Sequence, residues 1–201
     1  CYSAASPIVA LYETNRLRQI ADGAAAERTQ NIPNGIRITN FSAARRPEGA
    51  AIPPVICLLG RVVPIKDIKT LIRAMRRVVN MHPAAEAWIV GPTEEDPAYA
   101  EECRQLVESL GLESQVKFLG FQRTTEILPQ VGLLVLSSIS EALPLVVLEA
   151  YAAGIPVVTT DVGSCRQLVE GLDAEDKALG ASGRVVGIAD PRALADAMLE
   201  L

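Results

Sequence analysis

Short apolar runs alternate with amphipathic segments over most of the chain. The run from Gly132 to Leu136 is continuously apolar, as expected of a strand covered on both faces of a parallel sheet. Similar runs predict strands at residues 55–60, 87–90, 116–119, 157–160 and 184–188. Apolar residues at helical spacing predict helices at residues 67–80, 98–110, 124–128, 144–153, 164–169 and from 190 onward. This alternation of strand and helix predicts an α/β fold with a doubly wound parallel sheet.

The first part of the chain lacks this regular alternation. Residues 1–34 carry a loose helical stripe followed by a turn-rich stretch, and we expect them to be the tail of a preceding domain. Residues 35–201 then form the main domain, with exposed or polar loops at residues 41–54 and 171–183. Because the chain has no initiator Met and stops within a helical pattern, we expect it to be a piece of a longer protein.

Composition narrows the class of protein. The chain has 201 residues, of which 49% are hydrophobic and 21% charged, as in ordinary globular domains. A net charge of −5 argues against a nucleic-acid partner. No apolar run approaches the roughly 20 residues of a membrane helix. The first residues also lack the basic start and apolar core of a signal peptide.

Metal and redox chemistry find little support in the sequence. The four cysteines are far apart without a C-x-x-C pair, and Cys57 is expected in the core. The single histidine, His82, is expected in a solvent-facing turn after a helix. Acidic residues 94–96 lack the alternating ligand order of a calcium loop and instead predict the start of a helix.

Two carboxylates, Glu141 and Glu149, stand eight residues apart around the start of a short apolar helix. Pro144 suits the first turn of that helix. If the whole span were helical, the two residues would lie about 12 Å apart along the axis. That distance is on the order of a nucleotide-sugar's length and exceeds the roughly 5–9.5 Å of a glycosidase acid/base pair. The helix N-terminus between them suits phosphate oxygens.

Two cations, Arg61 and Lys66, follow the first strand of the main domain. Ligands of parallel α/β sheets bind at the carboxyl ends of strands. Arginine offers a planar fork for two phosphate oxygens, and lysine offers a compact point charge. The alternative is a pair of exposed loop cations with no ligand.

The pattern Glu, seven residues, Glu, followed by a small-residue helix and Gly-x-Pro-Val-Val, resembles the donor-binding half of retaining family 4 glycosyltransferases, which have the GT-B fold. The resemblance is greatest to the PelF group, the cytoplasmic transferases of Pel exopolysaccharide assembly. It rests on residues 60–70, 88–93, 137–144 and 161–167 and extends over nearly the whole chain. Ala142-Leu143-Pro144 replaces the Gly-aromatic-Gly common in the wider family, which favours the PelF group.

The resemblance implies a Rossmann-like domain, truncated at its C-terminus, that binds a nucleotide-sugar. A hexose, with glucose the expected sugar, would pass from a UDP-sugar to a glycan acceptor in Pel-type exopolysaccharide biosynthesis. The resemblance also implies a cytoplasmic, metal-independent enzyme without a cofactor and a membrane-bound polysaccharide synthase complex as partner. The isolated piece would be inactive. Residues 31–36 would be the hinge between two domains, although a plain surface turn would have the same sequence.

The same resemblance assigns roles to individual residues. Arg61 and Lys66 would hold the diphosphate and stabilise the leaving nucleotide. Glu149 would accept hydrogen bonds from the ribose, and Glu141 would contact the hydroxyls of the sugar, so that Arg61, Lys66 and Glu141 form the catalytic set. The remaining donor-binding residues would be Phe121, Gln122, Ser138, Leu143, Pro144, Leu145 and Val146. For Phe121, ordinary packing is an alternative to a contact with the base.

Three other functions remain open from the sequence. The chain could be a non-catalytic nucleotide-sugar-binding module, a nucleotide-sugar epimerase on the same fold, or a structural domain with a surface glutamate pair. Neither G-x-G-x-x-G nor G-x-x-x-x-G-K-[ST] occurs, so a dinucleotide oxidoreductase and a P-loop ATPase find no support.

Overall fold

The computed structural model describes residues 2–201, and its centre is a six-stranded parallel sheet. The strands of this sheet are β3 (Val55–Leu59), β4 (Glu86–Val90), β5 (Val116–Gly120), β6 (Leu133–Leu136), β7 (Val157–Thr160) and β8 (Gly183–Val186). The predicted α/β fold with a doubly wound parallel sheet is confirmed.

Helices connect the strands of this sheet and flank it. They are α2 (Ile68–Met81), α3 (Pro97–Ser109), α4 (Thr124–Ile127), α5 (Leu145–Ala152), α6 (Cys165–Glu170), α7 (Ala174–Ala178) and α8 (Pro191–Leu199). Single turns of 3₁₀-helix lie at Pro64–Lys66 and Leu128–Gln130, and a longer 3₁₀ segment lies at Ile38–Ala44.

The strand order, β5-β4-β3-β6-β7-β8, reverses direction between β3 and β6. The chain first builds the sheet outward from β3 through β4 and β5. It then returns past β3 to add β6, β7 and β8 on the other side. In open parallel sheets such a reversal leaves a crevice at the carboxyl ends of the two central strands, because their outgoing connections diverge to opposite faces.

Both faces of the sheet are buried, which explains the continuous apolar runs. Side chains alternate along each central strand: in β3, Ile56 and Leu58 pack against α2, α3 and α8, whereas Cys57 and Leu59 pack toward α5 and α6. Burial raises the pKa of the Cys57 thiol to about 12, as expected of a core cysteine. His82 is exposed immediately after α2, as predicted.

Two predicted loops contain structure that the sequence pattern did not indicate. Residues 41–54 are not simply exposed, because Phe41 and Ala44 pack into the core beneath α5. Residues 171–183 contain the short helix α7, capped by the Asp173 carboxylate. Both segments have few large apolar residues. Their folded conformation therefore depends on tertiary contacts and on a helix cap, and not on a periodic apolar pattern.

The first residues form a separate two-stranded parallel sheet, with β1 (Ile8–Ala10) and β2 (Thr29–Asn31) joined through α1 (Glu13–Ala21) and a 3₁₀ turn at Ala26–Arg28. A further 3₁₀ turn lies at Tyr2–Ala4. Neither strand pairs with the six-stranded sheet. Among residues 2–201, no helix combines the length and the apolar character needed to cross a lipid bilayer.

The burial of the core predicts that two leucine-to-alanine substitutions change the free energy of unfolding by very different amounts. Leu134 in β6 is fully buried, whereas Leu179 after α7 is 86% exposed. Leu134→Ala should lower the free energy of unfolding by about 2–5 kcal/mol, because it removes buried methyl groups and leaves a cavity. Leu179→Ala should change it by less than about 0.5 kcal/mol. Urea unfolding followed by circular dichroism measures both, and equal midpoints would contradict the assigned core.

Candidate functional site

The reversal of strand order brings two loops together. The cation loop, residues 60–67, follows β3, and the acid loop, residues 137–144, follows β6. The Ser137 hydroxyl donates to the Lys66 carbonyl oxygen at 2.8 Å, and the Ile139 N–H donates to the Ile65 carbonyl oxygen at 2.9 Å. The two loops are therefore joined through their backbones as well as their side chains.

The central contact of the site is an ion pair between the two loops. Lys66 Nζ lies 2.6 Å from Glu141 Oε1, and the two side chains are only 16% and 13% exposed. The Ser138 hydroxyl donates to the same carboxylate oxygen at 2.7 Å. Among the residues that the structure describes, Glu141 Oε2 has no hydrogen-bond donor. One oxygen therefore fixes the carboxylate, while the other remains available.

Two glycines permit the close backbone approaches around this pair. A Cβ at Gly91 would lie 1.9 Å from the Gly60 carbonyl oxygen, and a Cβ at Gly163 would lie 2.4 Å from the Glu141 carbonyl oxygen. Gly163 also has φ +58°, in the left-handed region that favours glycine. Both positions therefore exclude any side chain, and Gly163 brings the loop after β7 against the acid loop.

The acid loop leads into α5 through Pro144, which occupies the N-cap position rather than the predicted first turn. The helix begins at Leu145, so the helical estimate of 12 Å between Glu141 and Glu149 does not apply to this geometry. No acceptor among residues 2–201 pairs with the N–H groups of Leu145 and Val146. The positive end of α5 is therefore free to bind an anion beside the acid loop.

Neighbouring elements hold Ala142 and Leu143, the two residues before Pro144. The Ala142 carbonyl oxygen accepts from both the backbone N–H and the hydroxyl of Ser164, at 2.9 and 3.0 Å. Ser164 stands at the N-cap of α6 as predicted, but its hydroxyl makes this contact instead of capping the helix. Asn34 Nδ2 donates to the Leu143 carbonyl oxygen at 3.3 Å. The acid loop is thus fixed from both sides.

Glu149 lies inside α5 and is partly buried. Burial raises the pKa of its carboxyl group, and the nearby side chain of Thr124, the first residue of α4, partly counteracts the rise. Phe121 and Gln122 lie in the loop that leads to Thr124, and Phe121 is 76% exposed. The Gln122 amide donates to the Leu119 carbonyl oxygen at 3.0 Å. An exposed aromatic ring beside a sheet edge has a free face for another ring.

Arg61 belongs to the cation loop but has a different environment from Lys66. Its guanidinium pairs with Glu95, and both side chains are about half exposed. A surface pair of this kind contributes about 0–1 kcal/mol, so an anionic ligand can displace Glu95 at little cost. Asp96, next to Glu95, caps α3, close to the helix start that the sequence predicted at residues 94–96.

The structure therefore brings Lys66, Glu141 and Ser138 into one cluster, with Leu143–Val146 at its edge, whereas Arg61, on the same loop as Lys66, pairs with Glu95 instead. Sequence reasoning missed Ser137, Asn34, Gly163 and Ser164. Ser137 directly follows the buried run of β6, where a hydroxyl often binds a neighbouring loop, so a signal was present. Asn34 offered only a turn signal.

Two sizeable cavities lie elsewhere. One of about 690 Å³ lies between the first residues and α6–α7, bordered by Leu143 and Ser164, and one of about 620 Å³ lies at the amino ends of the strands. Neither is lined by Lys66, Glu141 or Glu149. We assign the functional site to the cluster, because a partly buried ion pair, a free carboxylate oxygen and a helix N-terminus lie together there.

Comparison with known proteins finds relatives by sequence. The exopolysaccharide phosphotransferase of Streptomyces coelicolor is 34% identical over 181 residues, which cover 89% of this chain and 18% of that protein. The D-inositol 3-phosphate glycosyltransferase of Nocardia farcinica is 31% identical over 160 residues, covering 73% of this chain and 36% of that protein. The chain therefore spans well under half the length of these curated relatives.

Solved structures superpose on nearly the whole chain. HepE of Anabaena in complex with UDP-glucose superposes with a TM-score of 0.82 at 28% identity, covering 98% of this chain and 54% of that one. TarM of S. aureus superposes with a TM-score of 0.79 at 23% identity and shows the fold alone.

The family model described as "Glycosyl transferases group 1" matches residues 53–201, from just before β3 to the last residue. This stretch holds the entire six-stranded sheet and both loops of the site. The chain belongs to the group 1 glycosyl transferases, and its α/β fold matches that of GT-B glycosyltransferase structures.

Proposed function

We propose that this chain binds the donor of a glycosyltransferase that moves a hexose from a UDP-sugar to a glycan acceptor. The observation that carries the proposal is the Lys66–Glu141 cluster at the reversal of strand order, beside the free N-terminus of α5. HepE, a structural relative at 28% identity, has been solved with UDP and glucose and with UDP-glucose. A crevice with these groups suits a molecule that combines a diphosphate with sugar hydroxyls.

Each group of the site has a part in this proposal. Arg61 and Lys66 bind the diphosphate and stabilise the charge that grows on it when the bond to the sugar breaks. The N–H groups of Leu145 and Val146 donate to phosphate or sugar oxygens. Glu141 accepts from the sugar hydroxyls through Oε2. The N–H groups and the two cations replace water around the departing nucleotide.

The nucleoside occupies the side of the site toward α4. Glu149 accepts hydrogen bonds from the ribose hydroxyls, and its ionised form is the better acceptor. Phe121 and Gln122 lie near the base, where the exposed ring of Phe121 supplies a stacking face. The raised pKa of Glu149 in the free chain is consistent with this role, because hydroxyl donors from the ligand would stabilise the charge that burial disfavours.

The finer identity of the enzyme is also part of the proposal. Glucose as the sugar, retention of configuration, a PelF-like place in exopolysaccharide biosynthesis and a cytoplasmic site beside a membrane synthase complex are supported by the resemblance of the sequence motifs. The exopolysaccharide in the name of the Streptomyces relative agrees with that pathway class. Metal independence is supported by the two cations, which supply the positive charge that a metal ion would otherwise contribute.

Residues 1–34 belong, in this proposal, to a preceding domain. The pairing of β1 with β2 alone, apart from the main sheet, supports the division. Residues 35–201 would then be the donor-binding domain, and the acceptor would meet the donor only in the longer polypeptide. The separate chain would bind the donor without transferring the sugar.

The deciding experiment is a calorimetric titration of the chain with UDP and with UDP-glucose, followed by a transfer assay on the full-length polypeptide. The proposal expects binding of both ligands, undiminished by a metal chelator, and transfer with retained configuration. Failure to bind either ligand would leave a structural domain. Binding without transfer by the full-length polypeptide would indicate a binding module, and interconversion of sugars an epimerase.

The first prediction concerns the cation loop. Arg61→Ala should weaken UDP binding by about tenfold or more, because hydrogen bonds to charged groups contribute about 1.5–3 kcal/mol. Arg61 is half exposed, so the variant should fold normally. Arg76→Ala, on the exposed face of α2, is the matched control and should bind as the wild type does. Isothermal titration calorimetry measures both, and equal affinities for the two variants would contradict the assignment.

The second prediction concerns the charge of Glu149. Burial raises its pKa, so the folded chain binds more protons than the unfolded chain between the two pKa values, and stability falls as pH rises through that window. Glu149→Gln should therefore be more stable than wild type at pH 7, and this advantage should shrink as pH falls toward about 4.3, the ordinary pKa of glutamate. The same variant should bind UDP more weakly.

Thermal unfolding across this pH range and UDP titration measure the two effects. Glu108→Gln, on an exposed position of α3, is the control and should alter neither quantity. Wild-type UDP affinity in Glu149→Gln would remove Glu149 from the site. An unchanged pH dependence of stability would contradict the raised pKa.

The third prediction uses two glycines with similar backbone conformations. Gly163 has φ +58° and its Cβ would strike the acid loop, whereas Gly154 has φ +73° and open space around it. Both alanine variants should lose about 1–2 kcal/mol of stability from the left-handed conformation, and Gly163→Ala should lose more because its Cβ would meet the Glu141 carbonyl oxygen. Only Gly163→Ala should also weaken UDP-glucose binding, because it displaces Glu141. Equal affinities after correction for stability would argue against a role for this loop.

A further inference from the structure

Two buried serines lie beneath the Lys66–Glu141 pair. Ser137 and Ser138 are fully buried, whereas the side chains of the ion pair reach solvent at 16% and 13% exposure. A ligand in the crevice would therefore meet the ion pair and not the serine hydroxyls. Any effect of the serines on a ligand must pass through Lys66 and Glu141.

The two hydroxyls have different partners. Ser137 donates to the backbone carbonyl oxygen of Lys66 at 2.8 Å, and Ser138 donates to Glu141 Oε1 at 2.7 Å. Ser137 thus fixes the backbone that carries the cation, and Ser138 fixes the side chain of the acid. Two adjacent residues just after β6 therefore fix the two members of one ion pair.

The backbone at Lys66 needs such support. The next residue, Asp67, has φ +43°, a left-handed conformation that glycine adopts readily and aspartate only occasionally. The hydrogen bond from Ser137 holds the carbonyl group of the peptide that joins Lys66 to Asp67. Thr160 in turn donates to the Ser138 carbonyl oxygen at 2.6 Å, which fixes the serine segment to β7.

Glu141 needs similar support because both of its partners share one oxygen. Lys66 and Ser138 contact Oε1, and no donor among residues 2–201 reaches Oε2. With Lys66 alone, the carboxylate could rotate about the single contact at Oε1. A second donor at a different angle restricts that rotation and directs Oε2 to one place.

We propose that Ser137 and Ser138 are positioning residues, each for a different member of the ion pair. Ser137 fixes the position of Lys66 for binding the diphosphate, and Ser138 directs Glu141 Oε2 toward the sugar. The inference rests on the proposed function, since it assigns the diphosphate to Lys66 and the sugar to Glu141. It adds that the two serines affect different parts of the same ligand.

The test compares UDP with UDP-glucose by calorimetry on the chain. Ser138→Ala should weaken UDP-glucose by about tenfold and UDP by less than about threefold, because only the sugar depends on Glu141 Oε2. Ser137→Ala should weaken both ligands by the same factor, about threefold to tenfold, because both carry the diphosphate. Ser140→Ala, an exposed residue of the same loop, is the matched control and should bind both as wild type does.

Conservative variants separate positioning from folding. Ser138→Thr keeps the hydroxyl and should restore the preference for UDP-glucose, and Ser137→Cys keeps the volume with a weaker donor and should give intermediate affinities. Melting temperatures are measured for every variant. If Ser138→Ala reduced both affinities by the same factor, or if Ser137→Ala lost affinity only at temperatures where it is partly unfolded, the serines would have only a structural role and the inference would be overturned.

The remaining outcomes distinguish this inference from the proposed function. If wild type binds both ligands and neither alanine variant changes the affinities, the inference is wrong and the proposed function stands. If wild type binds UDP-glucose no more tightly than UDP, the assignment of Glu141 to the sugar is wrong, and the inference fails with it. If wild type binds neither ligand, the proposed function itself is refuted.

Discussion

The Lys66–Glu141 ion pair depends on the strand order of the sheet. Its two members are 75 residues apart in sequence and lie 2.6 Å apart because β3 and β6 are neighbours at the point where the order reverses. Parallel strands deliver their outgoing loops to one edge of the sheet, and at the reversal the loops that follow the two central strands lie side by side. The candidate site is therefore a consequence of topology before it is a consequence of any single residue.

The pair is held in a setting that makes it rigid. Little solvent reaches the two side chains, so the ion pair replaces much of the contact with water that each charge would otherwise make. The serine hydroxyls and the backbone hydrogen bond between the loops fix the direction of this contact. A diphosphate that approaches Lys66 would therefore meet a side chain that is already in place. Binding would then cost little conformational entropy of that side chain.

Other groups of the site have weak partners or none in the free chain, so a ligand can bind to them. Arg61 pairs only with an exposed glutamate, which water or a ligand can replace. The N–H groups at the start of α5 have no partner among residues 2–201, and burial of Glu149 disfavours its charge. Free donors, a weakly held cation and a carboxylate with a raised pKa are each unfavourable for the free chain. Together they are complementary to a ligand that carries anionic oxygens and hydroxyl groups.

From the sequence alone, the α/β class and the order of most strands and helices could be predicted, because apolar periodicity and local turn signals are short-range properties. The sequence also indicated Arg61, Lys66, Glu141 and Glu149 as candidates for the site. The N-cap position of Pro144, the buried Phe41 and the helix within residues 171–183 could not be predicted, since they depend on packing and capping contacts. The sequence placed Lys66 and Glu141 on loops at carboxyl ends of strands. Only the tertiary structure decided that these loops meet, which serine supports which charge, and which glutamate oxygen stays free. Such contacts join residues far apart in sequence, and no local pattern encodes which strands become neighbours.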